Sequence, residues 1–145
     1  MQHFTLDQFI EAQAPVYAQV LRELRAGQKQ THWMWFIFPQ ILGLGTSLMS
    51  RQFAIPSMRE ARDYLTHPLL GKRLQECTRV VNKQEGRSSL AIFGTPDDQK
   101  FHSCMTLFDR AHPSTCFREA LDIYFHGRPD PRTVDILQHQ RAMQG

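Results

Sequence analysis

The 145-residue sequence predicts an all-α fold, a single compact domain over residues 1–145 built from seven or eight short helices. Three observations lead there. Apolar residues recur at helical spacing in short runs, each bounded by a cap, a glycine or a proline. No alternating strand pattern exceeds four residues. The chain is 41% hydrophobic and has no linker, repeat or low-complexity segment. A chain of this length buries about two thirds of its unfolded surface in one core.

The elements follow in order. Thr5-Leu6-Asp7-Gln8 reads as a capping box, with Thr5 accepting from the third amide and Gln8 reaching back. Leu6, Phe9 and Ile10 give this helix its apolar stripe. Pro15 starts a new turn or kinks the first, and Tyr17, Val20, Leu21 and Leu24 continue the stripe until Gly27. Thr31 stands where it can cap an aromatic helix that Pro39 ends. Ser47 to Ile55 is apolar enough for a short helix or an extended link, closed by Pro56. A second capping box, Ser57-Met58-Arg59-Glu60, opens a helix through Leu65, and His67-Pro68 breaks the chain. Leu70, Leu74, Cys77 and Val81 share one face of a longer helix over Leu69 to Val81.

Asn82 to Arg87 is polar, carries Gly86 and reads as a surface loop. Ser88 or Ser89 caps a short apolar piece, Leu90 to Phe93, ended by Gly94. Thr95-Pro96-Asp97-Asp98 is the strongest start signal in the chain. Thr95 serves as a cap, Pro96 suits the first helical position, and two acids favour the positive end of the dipole. That helix runs to about Phe108. Another spans Ser114 or Thr115 to His126, with Gly127 past its end, and Asp130-Pro131-Arg132-Thr133 opens a last one through about Met143. A strand hidden in Phe36 to Phe38 is opposed by Pro39 and by the shortness of the run.

Around Lys29 to Gly45 the chain concentrates its large side chains. Both tryptophans and two of its ten phenylalanines fall between Trp33 and Phe38. Lys29, His32 and Gln40 flank this run, and Gly43 and Gly45 free the backbone where it ends. An apolar wall with a few polar groups and a flexible loop suits a ligand pocket. It suits an ordinary core helix ending in a turn as well.

Composition excludes several function classes. Seventeen basic residues against 14 acidic ones give +3, with charges interspersed; the densest basic pairs, Arg59/Arg62 and Lys72/Arg73, are short. No basic stripe indicates nucleic-acid binding. Cys77, Cys104 and Cys116 are an odd count without framework spacing, as in reduced cytosolic thiols. The N-terminus lacks a basic region followed by an apolar stretch, and no run approaches a membrane span. A cytoplasmic protein is expected.

No Cys-x-x-Cys, His-x-x-x-His or His-Glu-x-x-His occurs, so no metal site is expected, and no cofactor either. Gly43-Leu44-Gly45-Thr46-Ser47 fails as a nucleotide fingerprint, because Leu48 takes the third glycine's place and no lysine follows. Its amides and the Thr46 and Ser47 hydroxyls still offer an anion contact. No Gly-x-Ser-x-Gly elbow is present, and Cys77 sits on an apolar face. One constellation remains: Asp97, Asp98, Lys100 and Ser103 at one helix start. Asp97 and Lys100 pair on one face, as do Lys100 and Ser103. This is either a dipole-satisfying acidic turn or a set of general acid–base groups opposite the His32/Trp33 wall.

The segment Lys29-x-x-His32-Trp33-Met34-Trp35-Phe36-Ile37-Phe38-Pro39-Gln40-x-x-Gly43-Leu44-Gly45-x-Ser47 resembles the hallmark of an uncharacterised bacterial family, domain of unknown function 1810. Two further blocks extend the likeness over nearly the whole chain. They are Glu60-Ala61-x-x-Tyr64-Leu65-x-His67-Pro68-x-Leu70-Gly71-x-Arg73-Leu74, and Ile92-Phe93-Gly94-x-Pro96-Asp97-Asp98-x-Lys100 with Met105-Thr106-Leu107-Phe108. Some members carry a calpastatin-like label, but nothing here resembles a disordered repeat inhibitor. The family has no established activity. The resemblance puts Lys29, His32, Trp33, Trp35, Gln40, Asp97, Asp98, Lys100 and Ser103 at its polar or aromatic motif positions. His102 and Cys104 depart from it.

Two functions of different class follow. The first is a pocket for a small, nucleotide-like molecule on the Lys29–Gly45 stretch. Asp97, Asp98 and Lys100 would be its catalytic candidates, and Lys29, His32, Trp33, Trp35, Gln40, Gly43, Gly45, Ser47 and Ser103 its binding candidates. The block order is similar to that of the NADAR family, helical proteins acting on riboside N-glycosidic bonds, which would imply a hydrolase. The second is a non-catalytic module that docks a protein partner through exposed parts of the Trp–Phe run.

Overall fold

The structure, a computed structural model, describes residues 4–144. It is all-helical, with α1 Asp7–Gln13, α2 Tyr17–Arg25, α3 Met34–Ile37, α4 Leu48–Gln52, α5 Met58–Thr66, α6 Leu70–Asn82, α7 Ser89–Phe93, α8 Asp97–Ala111, α9 Cys116–Phe125 and α10 Pro131–Gln144. Ten helices are described where seven or eight are expected, because α1 and α2 are separate on either side of Pro15 and the link over residues 47–55 and the piece over residues 90–93 each form a five-residue helix. No strand forms among the described residues; one isolated parallel bridge joins Ile41 to Ile55. None of the helices is long and apolar enough to cross a membrane.

The core is built round α8, which packs against α5, α7, α9 and α10. Every residue from Ser103 to Phe108 is buried, so the middle of this helix has no solvent face. The aromatic run closes on it. Phe38 meets Phe101 edge-on at 5.1 Å and Phe93 edge-on at 5.8 Å, while Phe93 stacks on Phe101 at 4.7 Å. Such pairs contribute roughly 0.5–1.5 kcal/mol each beyond their buried area. A second group, Phe9, Phe53, Tyr64 and Phe108, joins α1 and α5 to the other end of α8.

Helix ends depart from the predicted caps at several positions. Thr5 accepts from Asp7 N at 3.3 Å, and no side chain caps α1. Thr31 leaves α3 uncapped, because its hydroxyl donates to Glu23 at 2.7 Å. Ser57 stands at the start of α5, but its hydroxyl bonds the Glu60 carboxylate rather than a backbone amide. Thr95 does not cap α8. Gly94 O accepts from Asp98 N and Pro96 O from Gln99 N, so backbone carbonyls hold the first turn. Asn82 is buried at the end of α6, not in a loop, and donates to Cys116 O at 3.0 Å. Ser47 and Ser88 do cap α4 and α7, at 3.1 and 3.0 Å. Asp130 caps α10 through Thr133 N at 3.1 Å. His67, where the chain breaks, uses Nδ1 to accept from Leu69 N and Leu70 N at the head of α6.

Candidate functional site

Glu23, the only acid of α2, lies buried beneath the α2–α3 link. Its carboxylate accepts from Gln30 N at 2.6 Å, Thr31 N at 2.9 Å, Thr31 Oγ1 at 2.7 Å, Gln19 Nε2 at 2.9 Å and Trp33 Nε1 at 3.0 Å. Burial works to raise its pKa, but these donors outweigh burial and bring it down to about 2. The clamp presents Lys29 to α8. Lys29 Nζ reaches Asp97 Oδ2 at 2.9 Å, and Lys100 Nζ lies 3.5 Å from Asp97 Oδ1. Each lysine also covers an indole, Lys29 over Trp33 and Lys100 over Trp35, both at 5.1 Å.

Five of the predicted residues thus come together: Lys29, Trp33, Trp35, Asp97 and Lys100. They close packing rather than line an opening. Trp33 is 1% exposed. Beside Trp35, Gln40, Ser50 and Lys100 the free space is about 10 Å³, the room of about one water.

The other predicted residues stand apart. His32 is exposed. Ser103 is buried and shares a 2.8 Å hydrogen bond with Thr133 of α10. Ser47 is occupied as a cap. Gly43 takes a φ of +112°, and a side chain at Gly45 would collide with Ser50, so both are required by the turn itself. Asp98 has a buried Oδ1 with no hydrogen-bond partner. No cluster of potential metal ligands occurs among the described residues. Burial pushes the Cys77 thiol up to about 12 and raises Cys104 and Cys116, so none is a ready nucleophile.

The larger opening lies on the opposite side of α8. A cleft of about 760 Å³ runs between α5, α8, α9 and α10. Five arginines line it: Arg59 and Arg62 from α5, Arg110 from α8, Arg118 from α9 and Arg141 from α10. One carboxylate, Asp109, shares it with them. Arg118 pairs with Asp122 at 3.3 Å, while the other four form no ion pair with a described residue. Met58, Leu121, Val134 and Leu137 give the cleft apolar lining. Of these arginines only the Arg59/Arg62 pair leaves a trace in the sequence, as a basic doublet three residues apart.

Residues 3–137 match the sequence profile of a family described as "Protein of unknown function (DUF1810)". No curated protein matches the chain. A solved crystal structure, that of the conserved hypothetical protein Rv1873 from Mycobacterium tuberculosis, is similar at 52% identity and a TM-score of 0.90, covering 92% of this chain and 96% of that one.

Proposed function

The chain belongs to the DUF1810 family, and from that premise we propose that it binds a small phosphorylated, nucleotide-like molecule in the arginine-lined cleft. One observation carries this reading. Five arginines from four helices line a space of about 760 Å³ that holds a single carboxylate among the described residues. That volume lies within the roughly 300–1,000 Å³ of small-molecule sites. Guanidinium forks match phosphate oxygens two at a time, and four of these five form no ion pair with a described residue.

The aromatic stretch supports a ligand less well. Its indoles and Asp97 are engaged by Lys29 and Lys100, and its free space is that of about one water. An N-glycosidic hydrolase acting through Asp97, Asp98 or Lys100 therefore finds weaker support than binding in the cleft. A protein-docking role through the Trp–Phe run finds less still, since Trp33, Phe36, Ile37 and Phe38 are buried.

A thermal-shift screen against nucleotides, sugar phosphates and ADP-ribose tests the proposal. A ligand at about 100 times its Kd adds about 2.7 kcal/mol, a shift of several degrees. The shift should disappear in an Arg62→Ala/Arg110→Ala double variant whose own melting is unchanged, both side chains being exposed. A shift that persists in this variant, or no shift across the panel, would overturn it.

A further inference from the structure

We infer that Asp109 is the residue by which the cleft reads the ribose of a nucleoside diphosphate, an inference that rests on the cleft being the ligand site. The Asp109 side chain makes no hydrogen bond or ion pair with any described residue; its Oδ1 is buried and its Oδ2 keeps the accessible surface. Five arginines line the same cleft, yet none comes within 4.0 Å of this carboxylate. Three of the four uncharged polar side chains there already serve the fold, and the fourth, Gln138, is exposed and carries no charge to be matched. The Thr106 hydroxyl donates to His102 O and accepts from Asp130 N, Ser57 bonds Glu60, and Gln140 donates to Pro56 O.

A carboxylate accepts hydrogen bonds and donates none. The buried oxygen cannot be reached from the cleft, so a ligand donor meets Oδ2, which has no protein partner among the described residues. The surrounding guanidinium groups repel a cationic donor, so the complement is neutral, an O–H or N–H. The same molecule must carry negative charge for the arginines. A phosphate chain joined to a sugar with vicinal hydroxyls meets both demands at short separation. A base attached to that sugar would cover Met58, Val134 and Leu137. The charge balance of the lining, five positive to one negative, favours more than one phosphate.

Calorimetric titration of the full chain with three probes tests this: inorganic pyrophosphate, ADP, and 2′,3′-dideoxy-ADP. The wild type should bind ADP roughly tenfold or more tighter than the dideoxy compound, as expected for hydrogen bonds to a charged group. Asp109→Asn should bring the two within about twofold and leave pyrophosphate binding equal or tighter, because a negative charge has gone. Asp109→Ala should do the same, so that an effect confined to one variant's folding is recognised by the other.

Equal binding of ADP and dideoxy-ADP by the wild type overturns the role of Asp109. The cleft reading survives that outcome if pyrophosphate binding still requires Arg62 and Arg110. Absence of binding by all three probes overturns both.

Discussion

Glu23→Gln removes one charge from the most heavily hydrogen-bonded side chain among the described residues. Five donors converge on the Glu23 carboxylate at 2.6–3.0 Å. A glutamine there keeps one acceptor oxygen and turns an NH2 group toward donors, so at least two contacts are lost or repulsive. The pKa of Glu23 falls from 4.5 to about 2 on folding. At 1.36 kcal/mol per unit this corresponds to about 3 kcal/mol of stability. A carboxylate with a depressed folded pKa contributes fully above its unfolded value. The contribution therefore stands at pH 7 and is lost as pH falls from about 4.5 towards about 2.

Urea unfolding followed by tryptophan fluorescence, run from pH 7 to pH 3, gives the comparison. At pH 7 the variant should be about 3 kcal/mol less stable, with a Tm lower by roughly 6–12 °C. Below pH 4.5 its stability should fall less steeply than that of the wild type, so the two curves converge. Parallel curves, or a difference under about 0.5 kcal/mol at pH 7, would refute the account of Glu23 as an ionised clamp.

Two further outcomes are expected. In Gly71→Ala the new methyl group would overlap the Leu65 carbonyl oxygen, backbone that cannot move aside, so circular dichroism should record a loss of roughly 3 kcal/mol or more, or an unfolded chain. The three cysteines should resist a thiol reagent in the folded protein at pH 8 and label together once denaturant is added, since burial raises all three thiols; rapid labelling of one in native buffer would show that its helix opens locally.

The features legible from residue order are local in origin. Helical spacing, the stops at Gly27 and Gly94, and the break at His67-Pro68 settle the all-α class and most element boundaries, because a helix depends on residues three and four apart. Pro39 and the short apolar run likewise exclude a strand at Phe36 to Phe38. Local signals misled at several caps, where the side chain found another partner, near or distant. Thr31 abandons its cap for Glu23, and the Thr5 and Ser57 boxes form other bonds. The Lys29–Asp97–Lys100 pairing was half legible, since Asp97 and Lys100 share a helix face, but the contact to Lys29 spans sixty-eight positions and needs the Glu23 clamp. Glu23 itself carried no sequence signal beyond its position in an amphipathic helix.

The arginine cleft belongs wholly to tertiary structure. Arg62, Arg110, Arg118 and Arg141 are each an ordinary charged residue on an exposed helical position. They line one cleft because α5, α9 and α10 all pack on α8, which brings positions far apart in the sequence to its edge. The same packing consumes the aromatic stretch. A run with two tryptophans and two phenylalanines has as strong a reason to fill the centre as to wall a pocket, and here burial of apolar area prevails, leaving the charged rim on the far side of α8 as the surface that remains open.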